Sequence, residues 1–249
     1  MTALASEIII PDCWLIGGEV PLGLLSFLSL LSANDVNELN RLASHKLSLV
    51  IDHPLKAGPV RLRTECRNGM TNVRFMTTDG TVLASSLILP TTGEDRVAQL
   101  PLLKPDDLLD YEGCVPGLSS MFRARPLPIA TYNRGTSHAW MRPVDPRTVR
   151  PWACMTALDA WANPIVIDHA RDVLDGRSTA LQTPRTRLRQ ATVTVHPTAQ
   201  QRHLGLWLLR HSEMAVATDP HGSEHGFLAD IDGNVHMEYS ALRSTHSTH

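Results

Sequence analysis

Hydrophobic and polar positions follow two different periods along this 249-residue chain, and the change of period marks where a helix gives way to strands. Residues 18–31 form a long Leu-rich run that is followed by the capping-type sequence SANDV, which predicts a buried helix. From 60 to 67 the period falls to two, because apolar or small residues alternate with Arg and Glu. This alternation predicts a strand with one buried face.

Two further signals complete the first half of the chain. The sequence HKLSLVIDHP is rich in strand-forming residues and stops at His53-Pro54. The segments TNVRFMTTDG and TVLASSLIL predict two strands joined at Asp79-Gly80, since an Asp-Gly pair between two such runs is typical of a hairpin turn.

The same order of signals recurs in the second half. After a short predicted strand, HAWMRP, an Ala-rich apolar stretch from Trp152 to about Ala162 predicts a second helix that ends before Pro164. The strand QATVTVHP stops at His196-Pro197, and the last two predicted strands turn at Asp232-Gly233. The matching landmarks indicate that one structural unit occurs twice. The alternative is a pair of unrelated α+β domains.

The repeated unit predicts an α+β fold class. A helix laid along a strongly curved antiparallel sheet is a hot-dog unit, and two tandem units form a double hot dog. We expect an N-terminal unit over 1–99, a Pro-rich linker over 100–128, a C-terminal unit over 129–243 and a disordered tail over 244–249. Pairing of the two units at their edges would give one continuous sheet carrying two helices.

Composition narrows the class of function. The 23 Lys and Arg nearly balance the 25 Asp and Glu, which argues against a nucleic-acid partner. The four Cys are widely spaced and the longest apolar run is too short to cross a bilayer, so we expect a cytoplasmic protein without a membrane partner. The scattered His residues lack HExxH spacing, and there is no Walker or dinucleotide-binding glycine motif. We therefore predict neither a metal nor a cofactor.

Several stretches, taken in order, resemble one known family. These are IGGEVPLGLLSFLSLLSA, LSLVIDHPLKAGPVRLRTECRNGMTNVRFMTTDGTVLASS, ALDAWANP, TVTVHP, GLWLL and DIDGNVHMEYSAL. Together they resemble the double hot-dog acyl-CoA thioesterases of the thioesterase II type. In that family an Asp on the second-half helix acts with a Thr or Ser and a Gln to orient or activate the water that attacks a thioester.

Asp159 falls where the resemblance places the family's Asp. It is the one ionisable side chain in the thirteen residues MTALDAWANPIVI. A lone carboxylate in an apolar setting has a raised pKa, which suits proton transfer near neutral pH. The resemblance implies that this carboxylate lines a substrate tunnel between the two halves. The alternative is an Asp on the solvent face of an amphipathic helix.

The other positions of the family's catalytic set match less closely. The Thr is expected in TPRTRLRQATV, where Thr186 is the first candidate and Thr183 the second. The Gln is expected on the last strand, and counting from Asp232-Gly233 places Ala241 there. Because an alanine side chain cannot hydrogen-bond a water, the hydrolytic set is incomplete in this sequence.

Candidate substrate contacts lie on both sides of the predicted catalytic residues. Gly17 and Gly18 before the first helix would let a substrate carbonyl approach the free N–H groups of the helix, or would serve only a tight turn. We also expect Trp14 beside them, His138 before the second helix, and Asn163 four residues after the catalytic Asp to contact the substrate.

These features predict hydrolysis of an acyl or polyketide-type thioester, carried by coenzyme A or an acyl carrier protein. One alternative is a dehydratase, isomerase or cyclase acting on a polyketide-like chain in the same tunnel. Ordinary dehydration is disfavoured because Cys13 stands where hot-dog dehydratases have His. The other alternative is a protein that binds acyl chains without catalysis. Exposed sheet edges predict a homodimer.

Overall fold

The fold is described from a computed structural model, which covers residues 2–33, 44–92, 96–111, 122–128, 133–144, 155–178, 185–196, 207–218 and 221–246. These residues contain eleven strands and two α-helices. No helix among them is long and apolar enough to cross a membrane.

The strands are β1 (Thr2–Ile10), β2 (His45–Ile51), β3 (Gly58–Arg67), β4 (Met70–Met76), β5 (Val82–Pro90), β6 (Phe122–Pro126), β7 (Thr136–Pro143), β8 (Arg185–Val195), β9 (Leu208–Thr218), β10 (His221–Ala229) and β11 (Val235–His246). The helices are α1 (Leu22–Ala33) and α2 (Pro164–Leu174), and short 3-10 turns occur at Asp12–Trp14 and Pro105–Asp107.

All eleven strands belong to one antiparallel sheet, in the order β1-β3-β4-β5-β2-β8-β11-β10-β9-β7-β6. The strands of the first half occupy one side of the order and those of the second half the other. The halves join where β2 pairs with β8, with Leu47 opposite Val193 and Leu49 opposite Ala191. The predicted continuous sheet is confirmed.

Helix α1 packs on the inner face of the sheet, against β3, β4, β5 and β8. Eight of its twelve residues are buried and none carries a charge. The two buried serines are satisfied within the helix, because Ser26 donates to the Leu22 carbonyl and Ser29 to the Leu25 carbonyl. Each fully buried leucine stabilises the fold by about 1.5–3 kcal/mol, so α1 is primarily an apolar core element.

The helix predicted over 152–162 is observed only in part, and α2 follows it. One helical turn covers residues 155–157, the chain then turns, and α2 begins at Pro164. Asn163 caps this helix, since its side chain accepts a hydrogen bond from the Val166 N–H at 3.1 Å. Proline fits the first position of a helix as well as it ends one. Of the helix predicted over 152–162, residues 155–157 are helical and 158–162 are not, and residues 152–154 lie outside the described part.

The predicted strands and both Asp-Gly turns are confirmed, with two strands missed. β1 was not predicted, and β6 lies inside the segment 100–128, which was predicted to be a Pro-rich linker. β11 runs to His246, so residues 244–246 of the predicted disordered tail belong to a strand. Residues 247–249 lie outside the described part.

The outer face of the second half carries a smaller apolar cluster formed by Leu127, Trp140, Trp207 and Leu209. The segment 96–111 crosses this face, and the Trp140 indole N–H donates to the Leu103 carbonyl at 3.2 Å. Arg125 lies 4.5 Å above the Trp207 ring, a cation–π contact that closes the cluster. The inner and outer faces of this half therefore have separate surroundings.

Candidate functional site

Asp159 of the second half meets the N-terminal turn of α1 from the first half. The Gly23 N–H donates to the Asp159 Oδ2 at 2.5 Å. The first N–H groups of a helix have no partner within it, and the helix dipole favours a negative charge there. The contact therefore places the one carboxylate of the 155–167 segment where the first half offers a positive electrostatic environment.

Only glycine at position 23 permits this approach. A Cβ atom there would lie 1.9 Å from the Met155 carbonyl oxygen and 2.7 Å from Asp159 Oδ2. Since the first of these atoms is backbone, neither a rotamer change nor a small side-chain movement would relieve the overlap. Gly23 was not among the predicted site residues.

The Asp159 carboxyl has an altered acidity. Although part of the residue is accessible, protein surrounds the carboxylate, and this desolvation raises its pKa to about 6. The Gly23 N–H, Arg243 and Arg210 act in the opposite direction, and Glu224 adds to the increase. The group thus changes between acid and base near neutral pH, as the sequence predicts for a buried lone carboxylate.

Arg210 on β9 holds the chain segment that carries Asp159. Its Nε donates to the Leu158 carbonyl at 2.8 Å, and its Nη1 donates to the Ala162 carbonyl at 3.2 Å. The Ser137 hydroxyl donates to the same Ala162 carbonyl at 2.7 Å. The segment 158–162 is therefore fixed on both sides of the carboxylate by side chains of the sheet.

The same arginine belongs to a buried charged cluster, which we call the inner ion cluster: Arg210, Glu224, Tyr239 and Arg243. Tyr239 donates to Glu224 Oε1 at 2.7 Å, Arg210 Nη2 lies 3.3 Å from that oxygen, and Arg243 Nε bonds the other one. Burial alone would raise the pKa of Glu224, but Arg243 and Arg210 outweigh it and lower that pKa. Glu224 is therefore a buried carboxylate anion shared by two cations.

Asn163, which directly follows the 158–162 segment, contacts Thr186 on β8. The Asn163 Nδ2 donates to Thr186 Oγ1 at 3.1 Å, while the Asn163 Oδ1 caps α2. The predicted substrate contact Asn163 thus has two bonds within the protein. Thr183 lies outside the described residues.

Ala241 is buried on β11, between Ala191 of β8 and Glu224 of β10. Its neighbours two positions away on the same strand are Tyr239 and Arg243, both members of the inner ion cluster. Position 241, where the family resemblance implies a Gln, therefore adjoins the inner ion cluster, whose residues were not predicted from the sequence.

Gly17 and Gly18 are not at the helix N-terminus. They form an exposed turn with positive φ angles of 62° and 82°, closed by paired backbone bonds between Ile16 and Glu19. Helix α1 begins later, at Leu22. Gly17 and Gly18 therefore form a tight turn, which was the alternative to a substrate contact, and Gly23 lies in the first turn of α1. Trp14 is half-buried and packs against the main core.

His138 lies on the face of the sheet opposite the inner ion cluster. Its neighbour Ser137 points to the Asp159 segment, and strand alternation directs His138 outward, where its Nδ1 lies 3.1 Å from that of His211. Both histidines line a cavity of about 380 Å³ beneath residues 96–101. Burial lowers the pKa of each to about 4, so both are neutral at pH 7. His138, predicted to contact the substrate, therefore lines this outer cavity and not the inner face that carries Asp159.

The fold is shared with a group of solved structures. The chain matches a hot-dog protein of unknown function from Alicyclobacillus acidocaldarius, with a TM-score of 0.77, 14% identity, and coverage of 98% of this chain and 94% of that one. It matches an acyl-CoA thioesterase II from Mycobacterium marinum with a TM-score of 0.67, 16% identity and coverage of 91% and 89%.

A third match is the enoyl-isomerase of a trans-acyltransferase polyketide synthase, with a TM-score of 0.60, 11% identity and coverage of 97% and 100%. At these identities the matches define the fold, which is a hot-dog fold with a large antiparallel sheet. The hot-dog fold predicted from the sequence is confirmed. No family model matches the sequence, and the search of curated proteins gives no significant match.

Proposed function

We propose that this protein is a double hot-dog hydrolase that cleaves acyl thioesters, with Asp159 as the base or water-orienting residue. The observation that carries the proposal is the contact between a buried carboxylate of raised pKa and the Gly23 N–H at the start of α1. Such a place combines a proton acceptor with backbone donors for negative charge, and thioester hydrolysis needs both.

The proposed reaction has two steps. In the first, the ionised Asp159 takes a proton from a water, whose oxygen bonds to the thioester carbonyl carbon and makes a tetrahedral oxyanion. The N-terminal N–H groups of α1 other than that of Gly23, which bonds Asp159, stabilise that oxyanion. In the second, the carbon–sulfur bond breaks and Asp159 returns the proton to the departing sulfur. The products are a carboxylic acid and a thiol.

Thr186 is the proposed second contact of the water. Its oxygen accepts the bond from Asn163 Nδ2, which leaves the hydroxyl proton to be donated. Asn163 positions Thr186 in this scheme. Ala241 supplies no polar group, so its proposed role is to line the acyl-chain site.

We propose an acyl or polyketide-type chain on coenzyme A or an acyl carrier protein as the substrate, and a cytoplasmic homodimer as the working state. The fold match with an acyl-CoA thioesterase II supports the thioester class. The proposed units are residues 1–99 and 129–243, joined by the segment 100–128.

The test is release of free thiol from a panel of acyl-CoAs, followed with a thiol reagent. Asp159→Asn keeps an acceptor for the Gly23 N–H but removes the base, and we expect a loss of about 10²–10⁴-fold in kcat. Asp175→Asn, an exposed carboxylate at the end of α2, is the matched control and should keep full activity. Equal rates for Asp159→Asn and the wild type would refute the proposal.

A second candidate is double-bond isomerisation, dehydration or cyclisation of a thioester-bound chain. The absence of a polar side chain at Ala241 favours it, since a single acid–base group suffices to move a proton along a chain. The fold match with an enoyl-isomerase lends support. A product of unchanged mass or one water lighter, formed without thiol release and lost in Asp159→Asn, would decide for this chemistry.

A further inference from the structure

We propose that Arg210 is a positioning residue for Asp159, acting from β9 through the chain segment 158–162 and through the charge balance of the inner ion cluster. The proposal rests on the proposed catalytic role of Asp159 and adds the residues that control it. None of the four cluster members was a predicted site residue.

The contacts of Arg210 are unusual for an arginine. It is 2% exposed, and its donors meet the Leu158 and Ala162 carbonyls, the Ser212 hydroxyl and the Glu224 carboxylate. Its rigid planar fork fixes the relative positions of all these acceptors, which a lysine could not do.

The segment held by Arg210 has little regular structure of its own. From Leu158 to Ala160 each N–H bonds the carbonyl three residues earlier, at 3.2 Å, and regular α-helix resumes only at Pro164, where α2 begins. The hydrogen-bond geometry of such turns is poorer than that of an α-helix. The carbonyl of Leu158, directly before Asp159, receives its bond from the sheet through Arg210. The position of the carboxylate therefore depends on this arginine.

Charge is the second way in which the cluster acts on Asp159. The groups that face it from the elements packed against it are the Gly23 N–H from α1, Arg210 from β9, Glu224 from β10 and Arg243 from β11. The two arginines favour the ionised carboxylate and Glu224 opposes it. Removal of a cation and removal of the anion should thus shift the acidity of Asp159 in opposite directions.

A purely structural role for Arg210 predicts no such opposition. If Arg210 and Glu224 only supported the fold, their loss would lower the folded fraction in the same way, and the remaining folded protein would titrate as the wild type does. The sign of the change in pH dependence separates the two roles.

The experiment compares pH profiles of kcat/KM for the wild type, Arg210→Met and Glu224→Gln. We expect the acidic midpoint, near 6 in the wild type, to rise in Arg210→Met and to fall in Glu224→Gln. Arg210→Lys keeps the charge but loses the planar fork, so its midpoint should remain while kcat falls about 10-fold or more. Arg142→Met, which alters an arginine over Trp207, should change neither quantity.

Titration of Asp159 is also followed directly, by ¹³C NMR of carboxyl-labelled aspartate with Asp159→Asn to assign the signal. This measurement does not require enzymatic activity, and only the folded molecules contribute the Asp159 signal. If the wild type releases no thiol but the Asp159 midpoint still moves in opposite directions, the proposed function fails and the positioning role stands. Unchanged midpoints, or shifts of the same sign in Arg210→Met and Glu224→Gln, would overturn the positioning role.

Discussion

The two halves of the sheet contribute different chemistry to one site. In the first half, α1 is mostly buried and uncharged, and its two buried serines bond their own helix. It offers the site a backbone N–H group. In the second half, the corresponding interior holds Asp159 and the inner ion cluster. It offers side chains whose charge and protonation can change.

This division has a physical reason. A buried ion needs partners that are also buried, and each partner adds further groups that must be satisfied. Concentrating the charges in the second half leaves the first half as an apolar support for the helix N-terminus. The site forms where Gly23 allows the two interiors to touch. Variants that act on one half only can test the division.

The largest effect is expected when the anion of the inner ion cluster is removed. Glu224→Ala leaves Arg210 and Arg243 buried without their shared carboxylate, and breaking such a group costs about 3–5 kcal/mol. The free energy of unfolding in urea measures it. In the first half, Glu65→Ala removes the surface ion pair with Arg63 and should cost no more than about 1 kcal/mol. Similar losses for both variants would contradict the division.

A somewhat smaller effect is expected from Asp159→Asn, and it depends on pH. The raised pKa means that folding favours the protonated carboxyl, so this contribution to stability is fully present below pH 3.8 and is lost as the pH rises through about 6. The difference corresponds to about 3 kcal/mol. Asp159→Asn should therefore be more stable than the wild type at pH 8, by up to that amount, and equal to it below pH 3.8.

Thermal unfolding at a series of pH values, with Asp175→Asn as the control, measures this difference. A wild type that gains stability relative to Asp159→Asn as the pH rises would show that the carboxylate is stabilised as an anion. The expected result has a functional meaning, because a group that costs stability at neutral pH is retained for another reason.

Alternation and turn chemistry were sufficient to predict most of the strands, because each depends on a few neighbouring residues. The start of α2 was missed because Pro164 can end one helix or begin another, and only the capping bond of Asn163 distinguishes the two. β1 has no comparable local signal, since its pairing partner β3 lies some fifty residues away.

The candidate site was predictable only in part for the same reason. Asp159 stood out because a lone carboxylate in an apolar segment is a local feature. Gly23 depends on the distance between two segments remote in sequence, and Arg210 depends on the register between β9 and β10. The face on which His138 lies depends on strand alternation, since a shift of one residue moves a side chain to the opposite face.

A change at the contact itself tests whether the two interiors must touch. Gly23→Ala would stabilise an unobstructed helix by about 1 kcal/mol, since alanine is the better helix former. Here the added methyl overlaps the Met155 carbonyl, and overpacking of this kind costs about 1–3 kcal/mol. We expect net destabilisation and a larger loss of thiol release, because the overlap moves the Asp159 segment. A more stable and fully active variant would contradict the close contact.

The last comparison uses a matched pair of buried serines, both fully inaccessible, and the smallest effect is expected for the one in α1. Ser29 in α1 donates only to the Leu25 carbonyl of its own helix, so Ser29→Ala should change the free energy of unfolding by about 0.5 kcal/mol. Ser212 on β9 accepts a bond from Arg210 Nη1 at 3.0 Å, and a bond to a buried charged group contributes about 1.5–3 kcal/mol. Urea unfolding of the two alanine variants measures the difference. A larger loss of stability for Ser29→Ala than for Ser212→Ala would contradict the division between the two halves. It would show that the bond to Arg210 in the inner ion cluster contributes less than a bond within α1.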